Sequence, residues 1–440
     1  MTLRPLVLFG GCLLTLTVFG CGDKDDTGST TEADADTDAD TDADTDADTD
    51  ADTDADTDCT SSDYSDSVQC TEWLINNTET APVIGSGVLT DVQSATLSTV
   101  SGVDYLRLQA TGIPSYATIV DQDLIDELND RPNAGTDFLS GETTMTVGQT
   151  VELGDDVGYS SNTSCGTGAG YGYWPPGPEC PADVSHDHYI PLNPEPASSG
   201  SECETGLGWA GSWVNGVSIF NWGDGFAYDD DGNWLNIAGA QEVFDLGICS
   251  GHAAAEEYHH HGYSRCLADE LGDEGTGHSP AYGIVADGYP IYGPWHASGV
   301  AAESCWVARD YDDADDPYGC GGTGERDCVM VDQFDPTQGT ETAGSSGPST
   351  SDTVTSLSGN TFPGTDALFY PDYYYDADCH AQGGAYLDAH NGHDHDDYGY
   401  HYHVTGSFPN TVGPTLYGTI QSETTVSCDG VSAGGGPPPQ

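Results

Sequence analysis

Positive charge is nearly missing from this chain. Seven lysines and arginines stand against 74 aspartates and glutamates, a formal charge of −67 over 440 residues. Such a surface repels phosphate backbones and anionic headgroups, which excludes nucleic acid and the bare lipid surface as partners. Long apolar runs are equally scarce. Beyond residues 6–19, no stretch approaches the ~18 apolar residues needed to cross a bilayer. Helical periodicity is confined to residues 120–128, where Val120, Leu124, Ile125 and Leu128 fall on one face. The familiar enzyme signatures are absent as well: no Gly-x-Ser-x-Gly elbow, no phosphate loop, no His-Glu-x-x-His. No Cys-x-x-Cys spacing occurs, which argues against thiolate metal ligands.

What is present begins with an export signal. Arg4 precedes the apolar run 6–19, and a polar, acidic segment follows at once, as in a cleaved secretory signal over residues 1–20. Val18-Phe19-Gly20-Cys21 looks like a bacterial lipobox, with Phe19 where a small residue is usual. This predicts lipidation of Cys21, hence an exported protein anchored by lipid to a bacterial outer membrane or cell surface. The lipid is then its only membrane contact. Residues 21–58 read as a disordered tether, because every second residue from Ala33 to Asp58 is Asp and the charges repel. The tether lacks the turn Gly and distal Glu of a calcium loop, so only weak, diffuse calcium binding is expected of it. From Cys59 onward 57 acidic residues face five basic ones, about −52 in net charge.

Fourteen cysteines less Cys12 in the signal and Cys21 at the anchor leave an even number. In an exported chain that predicts disulfides, with Cys59/Cys70, Cys165/Cys180 and Cys249/Cys266 as near neighbours able to pair. Short β-branched and alternating runs, such as Thr96-Leu97-Ser98-Thr99-Val100 and Tyr105-Leu106-Arg107-Leu108-Gln109, end at turn residues. With 58 glycines and 24 prolines, the expected fold is mainly β: antiparallel, sandwich-like, loop-rich and disulfide-stapled. A β region over 59–160 should run on into the rest, and residues 340–360 read as a mobile surface loop. A disordered tail is expected over 431–440.

Histidine carries the chemistry. Six of 14 histidines lie between His380 and His403. There Asn391-Gly392-His393 precedes Tyr400-His401-Tyr402-His403, and about 140 residues earlier Ser250-Gly251-His252 precedes Tyr258-His259-His260-His261. Strand side chains alternate, so each Tyr-His-x-His offers two imidazoles on one face and the preceding turn offers a third. The bland reading, half-buried strand histidines bonded to backbone, fits one copy better than two. The candidate metal ligands are therefore His252, His259, His261, His393, His401 and His403. Asp245 and Asp388 are placed to orient imidazoles, while His390, His186 and His188 are possible extra ligands. His278, His296 and His380 stand alone without a motif. The aromatics of residues 370–375, with Trp295 and Trp306, read as core or, if exposed, as a glycan platform.

The ordered series is more specific. It runs Glu242-Val243-Phe244-Asp245, Gly251-His252, Tyr258-His259-His260-His261-Gly262 and His278-Ser279-Pro280. Ala286-Asp287-Gly288-Tyr289-Pro290-Ile291-Tyr292-Gly293, Leu387-Asp388, Asn391-Gly392-His393 and Tyr400-His401-Tyr402-His403-Val404-Thr405 complete it. It resembles the YHYH domain family of exported bacterial proteins, over residues 97–412 and most strongly 242–405, and implies a YHYH domain over 161–430. His260 stands where that family usually has Tyr. His390 stands where its members often have Cys, which implies a disulfide missing there. The resemblance supplies a motif and no reaction. Two functions follow from the residues: a surface lipoprotein binding a divalent transition metal, zinc or copper, through the histidine clusters, or a non-enzymatic module binding a glycan, a small molecule or a surface protein. Whether the chain is an enzyme, and on which residues, stays open at this stage.

Overall fold

Turn chemistry sets the first sheet. In the computed structural model, β1 (Val92–Val100) and β2 (Val103–Ala110) form an antiparallel hairpin. They turn at Ser101-Gly102, both at positive φ (55° and 87°), which matches the twist of the flanking strands. β3 (His186–Pro191) adds to the far side of β2. The structure describes residues 73–81, 87–160, 172–175, 179–230, 232–395 and 398–433. The signal, Cys21, the tether, Cys59, Cys70, Cys165 and residues 434–440 lie outside these.

Eight short strands form the main sheet: β4 (Gly211–Trp213), β5 (Ser218–Ile219), β6 (His252–Ala254), β7 (Glu257–His260), β8 (Ala281–Val285), β9 (Pro290–Tyr292), β10 (Gly392–Asp394) and β11 (Tyr400–His403). Their spatial order is β6-β7-β5-β4-β8-β9-β11-β10. The order is a palindrome of equivalent parts. On each side of the central β4–β8 pair, a hairpin partner follows (β5 or β9), then a Tyr-His-x-His strand (β7 or β11), then a Gly-His edge strand (β6 or β10). In both halves the hairpin strand runs parallel to the His-x-His strand, and the Gly-His strand pairs antiparallel with it. Antiparallel pairing otherwise dominates, as expected. The β4–β5 and β8–β9 turns, Asn215-Gly216 and Asp287-Gly288, match too: each polar side chain accepts from the backbone N–H two residues on (3.3 and 3.2 Å).

One face of this sheet is apolar. Trp213, Ile219, Tyr258, Val285, Ile291 and Tyr402 are buried there, in one core cluster with Leu106 and Leu108 of β2. The helix hinted at by residues 120–128 is α1 (Gln122–Asn129), capped by Asp121 accepting from Leu124 N–H (2.8 Å). The second helix used below, α2 (Arg265–Leu271), starts at the Ser264 cap and stops at Gly272 in the left-handed region.

Four disulfides staple the described part: Cys203–Cys428, Cys249–Cys266, Cys305–Cys379 and Cys320–Cys328. Two sequence readings are corrected. The stretch 340–360 is not simply loop, since Thr340–Thr342 and Thr353–Thr355 are strands paired in hairpins with Cys328–Met330 and Thr361–Pro363. Val431, assigned to the tail, packs against the cluster of Trp222, Trp306, Tyr375 and Phe408. In that cluster Tyr370 stacks on Trp222 and Tyr373 on Phe408, so these aromatics are core rather than an exposed platform. No helix among the described residues is long and apolar enough to cross a membrane.

Candidate metal centres

The polar face of the same sheet carries the histidines. Along β7 the side chains alternate, so Tyr258 and His260 enter the core while His259 and His261 emerge together opposite it. Register pairs His252 with His259 across β6–β7 and His393 with His401 across β10–β11. Tight glycines allow this. A Cβ on Gly251 would stand 2.5 Å from Tyr258 Oη, and one on Gly392 would stand 2.6 Å from Tyr400 Oη.

At the first centre, His259 Nδ1 donates to the Glu257 carbonyl (3.0 Å) and His261 Nδ1 to the Asn221 carbonyl (2.6 Å). A carbonyl only accepts, so both protons sit on Nδ1 and both Nε2 atoms are bare lone pairs. Yet those two Nε2 atoms face each other at 3.1 Å. Glu242 Oε2 lies 3.3 Å from His261 Nε2 and 3.5 Å from His252 Nε2. This oxygen is buried with no hydrogen-bond donor, although the Glu242 side chain as a whole is 22% exposed. Burial, reinforced by the charges of Asp224 and Asp245, pushes its carboxyl well above the ordinary range. Burial and the neighbouring rings drive His252 down to about 3, and burial drives His261 down to about 4. The imidazoles thus stay neutral with bare Nε2 acceptors, while the carboxyl of Glu242 keeps its proton to higher pH than an exposed one.

The second centre repeats the device residue for residue. His401 Nδ1 donates to the Gly399 carbonyl (2.9 Å) and His403 Nδ1 to that of Gly293 (2.6 Å), leaving their Nε2 atoms 3.1 Å apart. Gly399 and Gly293 stand where Glu257 and Asn221 stand in the first unit. His278 replaces the carboxylate: its Nδ1 donates to the Ser279 carbonyl (2.8 Å) and its Nε2 lies 3.3 Å from that of His401. His393, the counterpart of His252, remains near His401 and His403 (ring centroids 4.9 and 5.2 Å) but groups its ligand atom with His296 and His395. Five of the six motif histidines therefore fall in two triads, and His393 stands in a third group. His252, His259 and His261 form one; His401 and His403 take His278 as their third member. The two Tyr-His-x-His strands do not lie side by side. Four strands separate them, because each is held by its own hairpin.

The proposed supporting residues are placed differently. Asp245 accepts from Ser358 and Asn360, and Asp388 accepts from Tyr400 Oη (2.9 Å) and the Gly392 and His390 N–H groups. Neither holds a ligand imidazole; backbone carbonyls do that work. His390 faces the Thr415 carbonyl and Oγ1 (both 3.0 Å), at the position equivalent to the disulfide-bonded Cys249. His260 meets Tyr116 Oη (3.0 Å) inside the core. His186 and His188 form an ordinary relay: His188 Nε2 reaches His186 Nδ1 (3.1 Å), and His186 Nε2 reaches Ser218 Oγ (3.2 Å), which donates to Glu257. Every link there has a donor and an acceptor, unlike the two triads. Cys320 and Cys328 lie near Asp327, but their disulfide occupies both sulfurs.

Sequence reasoning left Glu242 and His278 out of these clusters. Both stood inside quoted motifs, ten residues ahead of His252 and just before Ser279-Pro280, but neither has a period or partner in sequence. Comparison with known proteins bears on the identity. Residues 187–348 match the family model described as YHYH protein, spanning the first histidine unit and the β8–β9 hairpin. The match stops short of the second unit and covers less of the chain than the motif series suggested. No curated protein and no solved structure gives a match. On the family match and the ordered motifs together, this chain carries a domain of the YHYH family.

Proposed function

We propose that this is an exported, lipid-anchored protein whose YHYH domain binds divalent transition-metal ions at its two histidine centres. The carrying observation is the pair of bare Nε2 atoms that face each other at 3.1 Å in both units. Two lone pairs at that distance repel, no proton is available to bridge them without charging a buried ring, and a cation between them removes the conflict. The donor set agrees. At bond lengths near 2.0–2.1 Å, a tetrahedral ion sets its ligands about 3.3 Å apart. The first centre offers Nε2 and Oε2 separations of 3.1, 3.3 and 3.5 Å. Three imidazoles and one carboxylate suit zinc, and imidazole-only sites suit zinc or copper. The Nδ1–carbonyl bonds are the supports that metal-bound histidines ordinarily have.

The test is metal content by mass spectrometry on untagged protein incubated with zinc or copper. We expect bound metal in the parent. His259→Ala/His261→Ala should lose the first centre and His401→Ala/His403→Ala the second. Metal-free parent, or both variants retaining full metal at equal folding, would leave the histidines as structural residues.

A further inference from the structure

The second unit differs from the first in one respect that its sequence counterpart gives no reason to expect. Beside His278, His401 and His403 stands a second triad, His296, His393 and His395, whose ligand atoms also lie within 4.8 Å of one another. The two triads interleave. His393 packs edge-on to His401 (4.9 Å), and His278 lies 5.2 Å from His395, centroid to centroid. Tautomer logic extends to the junction, because His393 Nδ1 donates to the Gly384 carbonyl (2.9 Å) and its buried Nε2 is bare and without a donor. Among the described residues no carboxylate oxygen is grouped with either triad. Among the described residues the first unit has no such addition: its edge histidine, His252, turns to Glu242.

We infer that the second unit is a two-ion centre, with His278, His401 and His403 holding one transition-metal ion and His296, His393 and His395 holding a second beside it. This rests on the metal-binding reading above and assigns it a number and a chemistry. Six neutral imidazoles leave both ions positively charged and short of ligands, so the centre would take a small oxygen donor, such as water or hydroxide, at its open positions. A cavity of about 300 Å³ supplies the room. His393, Asp388, Asp394 and Tyr400 are among its walls, so it adjoins the second triad at His393. The carboxylates of Asp388 and Asp394 favour a cationic or neutral visitor over an anionic one. One unit is thereby closed by a fourth protein ligand, and its twin is left open.

Copper(II) titration of the full chain, with bound metal counted after gel filtration, tests this. The parent should bind about three ions, and His296→Ala/His395→Ala, at the edge of the cluster, should bind one fewer with unchanged circular dichroism. Electron paramagnetic resonance of the copper-loaded parent should show spin–spin coupling that the variant lacks. A parent holding no more than two ions, a variant holding as many as the parent, or uncoupled copper in the parent would overturn the pair and leave single-ion centres. A parent binding no ion would overturn the metal reading itself.

Discussion

At the scale of single residues, the chain's chemistry rests on where four protons sit. The carbonyls of Glu257, Asn221, Gly399 and Gly293 each take an Nδ1 proton, which strips Nε2 of His259, His261, His401 and His403. Long-range nitrogen–proton correlation spectra of metal-free protein should therefore show all four rings as neutral Nδ1–H tautomers at pH 7, not the Nε2–H form usual in water. Nε2–H tautomers or imidazolium signals there would contradict the argument. Glu242→Gln should weaken zinc at the first centre by at least tenfold while leaving the second unchanged, since it removes the only anionic ligand. The motif histidines were legible because two copies of one pattern expose a period. Glu242 and His278 were not, because a carboxylate or imidazole brought in from another element leaves no spacing to read. His186-Asp187-His188 carries the same spacing as the triad histidines and forms a relay through Ser218 to Glu257 instead. Spacing alone does not say which nitrogen carries the proton.

At the scale of elements, most strands of the main sheet are two to four residues long, and each holds its place through its neighbour rather than by propensity. Gly251 and Gly392 are where that dependence is sharpest. Alanine at either would drive a methyl into a tyrosine hydroxyl and the facing carbonyl of His259 or His401. Overpacking of this kind costs about 1–3 kcal/mol. Thermal unfolding of Gly251→Ala and Gly392→Ala should show it, each with metal lost from its own centre only. Helix α2 supplies a pH effect. Glu270, at its end, is pushed up to about 8, chiefly by burial and then by Asp91. Folded protein thus keeps a proton that the unfolded chain releases above about 4.5, so stability falls as pH rises from there toward 8. Glu270→Gln mimics the protonated form. It should stabilise by roughly 1 kcal/mol at pH 7.5, after discounting for solvent screening, and by nothing measurable at pH 4. An equal effect at both pH values would remove ionisation as the cause. Sequence pattern located α1 and the long hairpin, whose alternation is local. It could not order eight strands whose pairing partners lie up to 111 residues apart.

At the scale of the whole molecule, the mainly β class was legible because helical periodicity is missing over hundreds of residues. The duplication was legible only as a repeated motif, since the symmetry lies in pairing order. Charge is the other global property. All five cations after Cys59 are arginines, and each is committed. Arg107, Arg265 and Arg326 pair with Asp187, Asp121 and Asp372, while Arg131 and Arg309 cap backbone carbonyls. The Arg326–Asp372 pair is almost wholly buried (1% and 0% exposed) and binds the Pro348 and Gly364 carbonyls as well. No arginine is left to neutralise the surplus of carboxylates, so the folded chain carries its self-repulsion into the compact state, where like charges are closer than in the unfolded coil. Added salt shortens the Debye length from about 30 Å at 0.01 M to about 10 Å at 0.1 M and so screens repulsion between exposed carboxylates. The melting temperature of metal-free protein in chelator should therefore rise by several degrees between 0.01 and 0.5 M sodium chloride, the opposite of the trend for a fold held by surface ion pairs. A flat or falling curve would mean that the unfolded chain repels itself as strongly as the folded one, and that charge density plays no part in holding this fold open to cations.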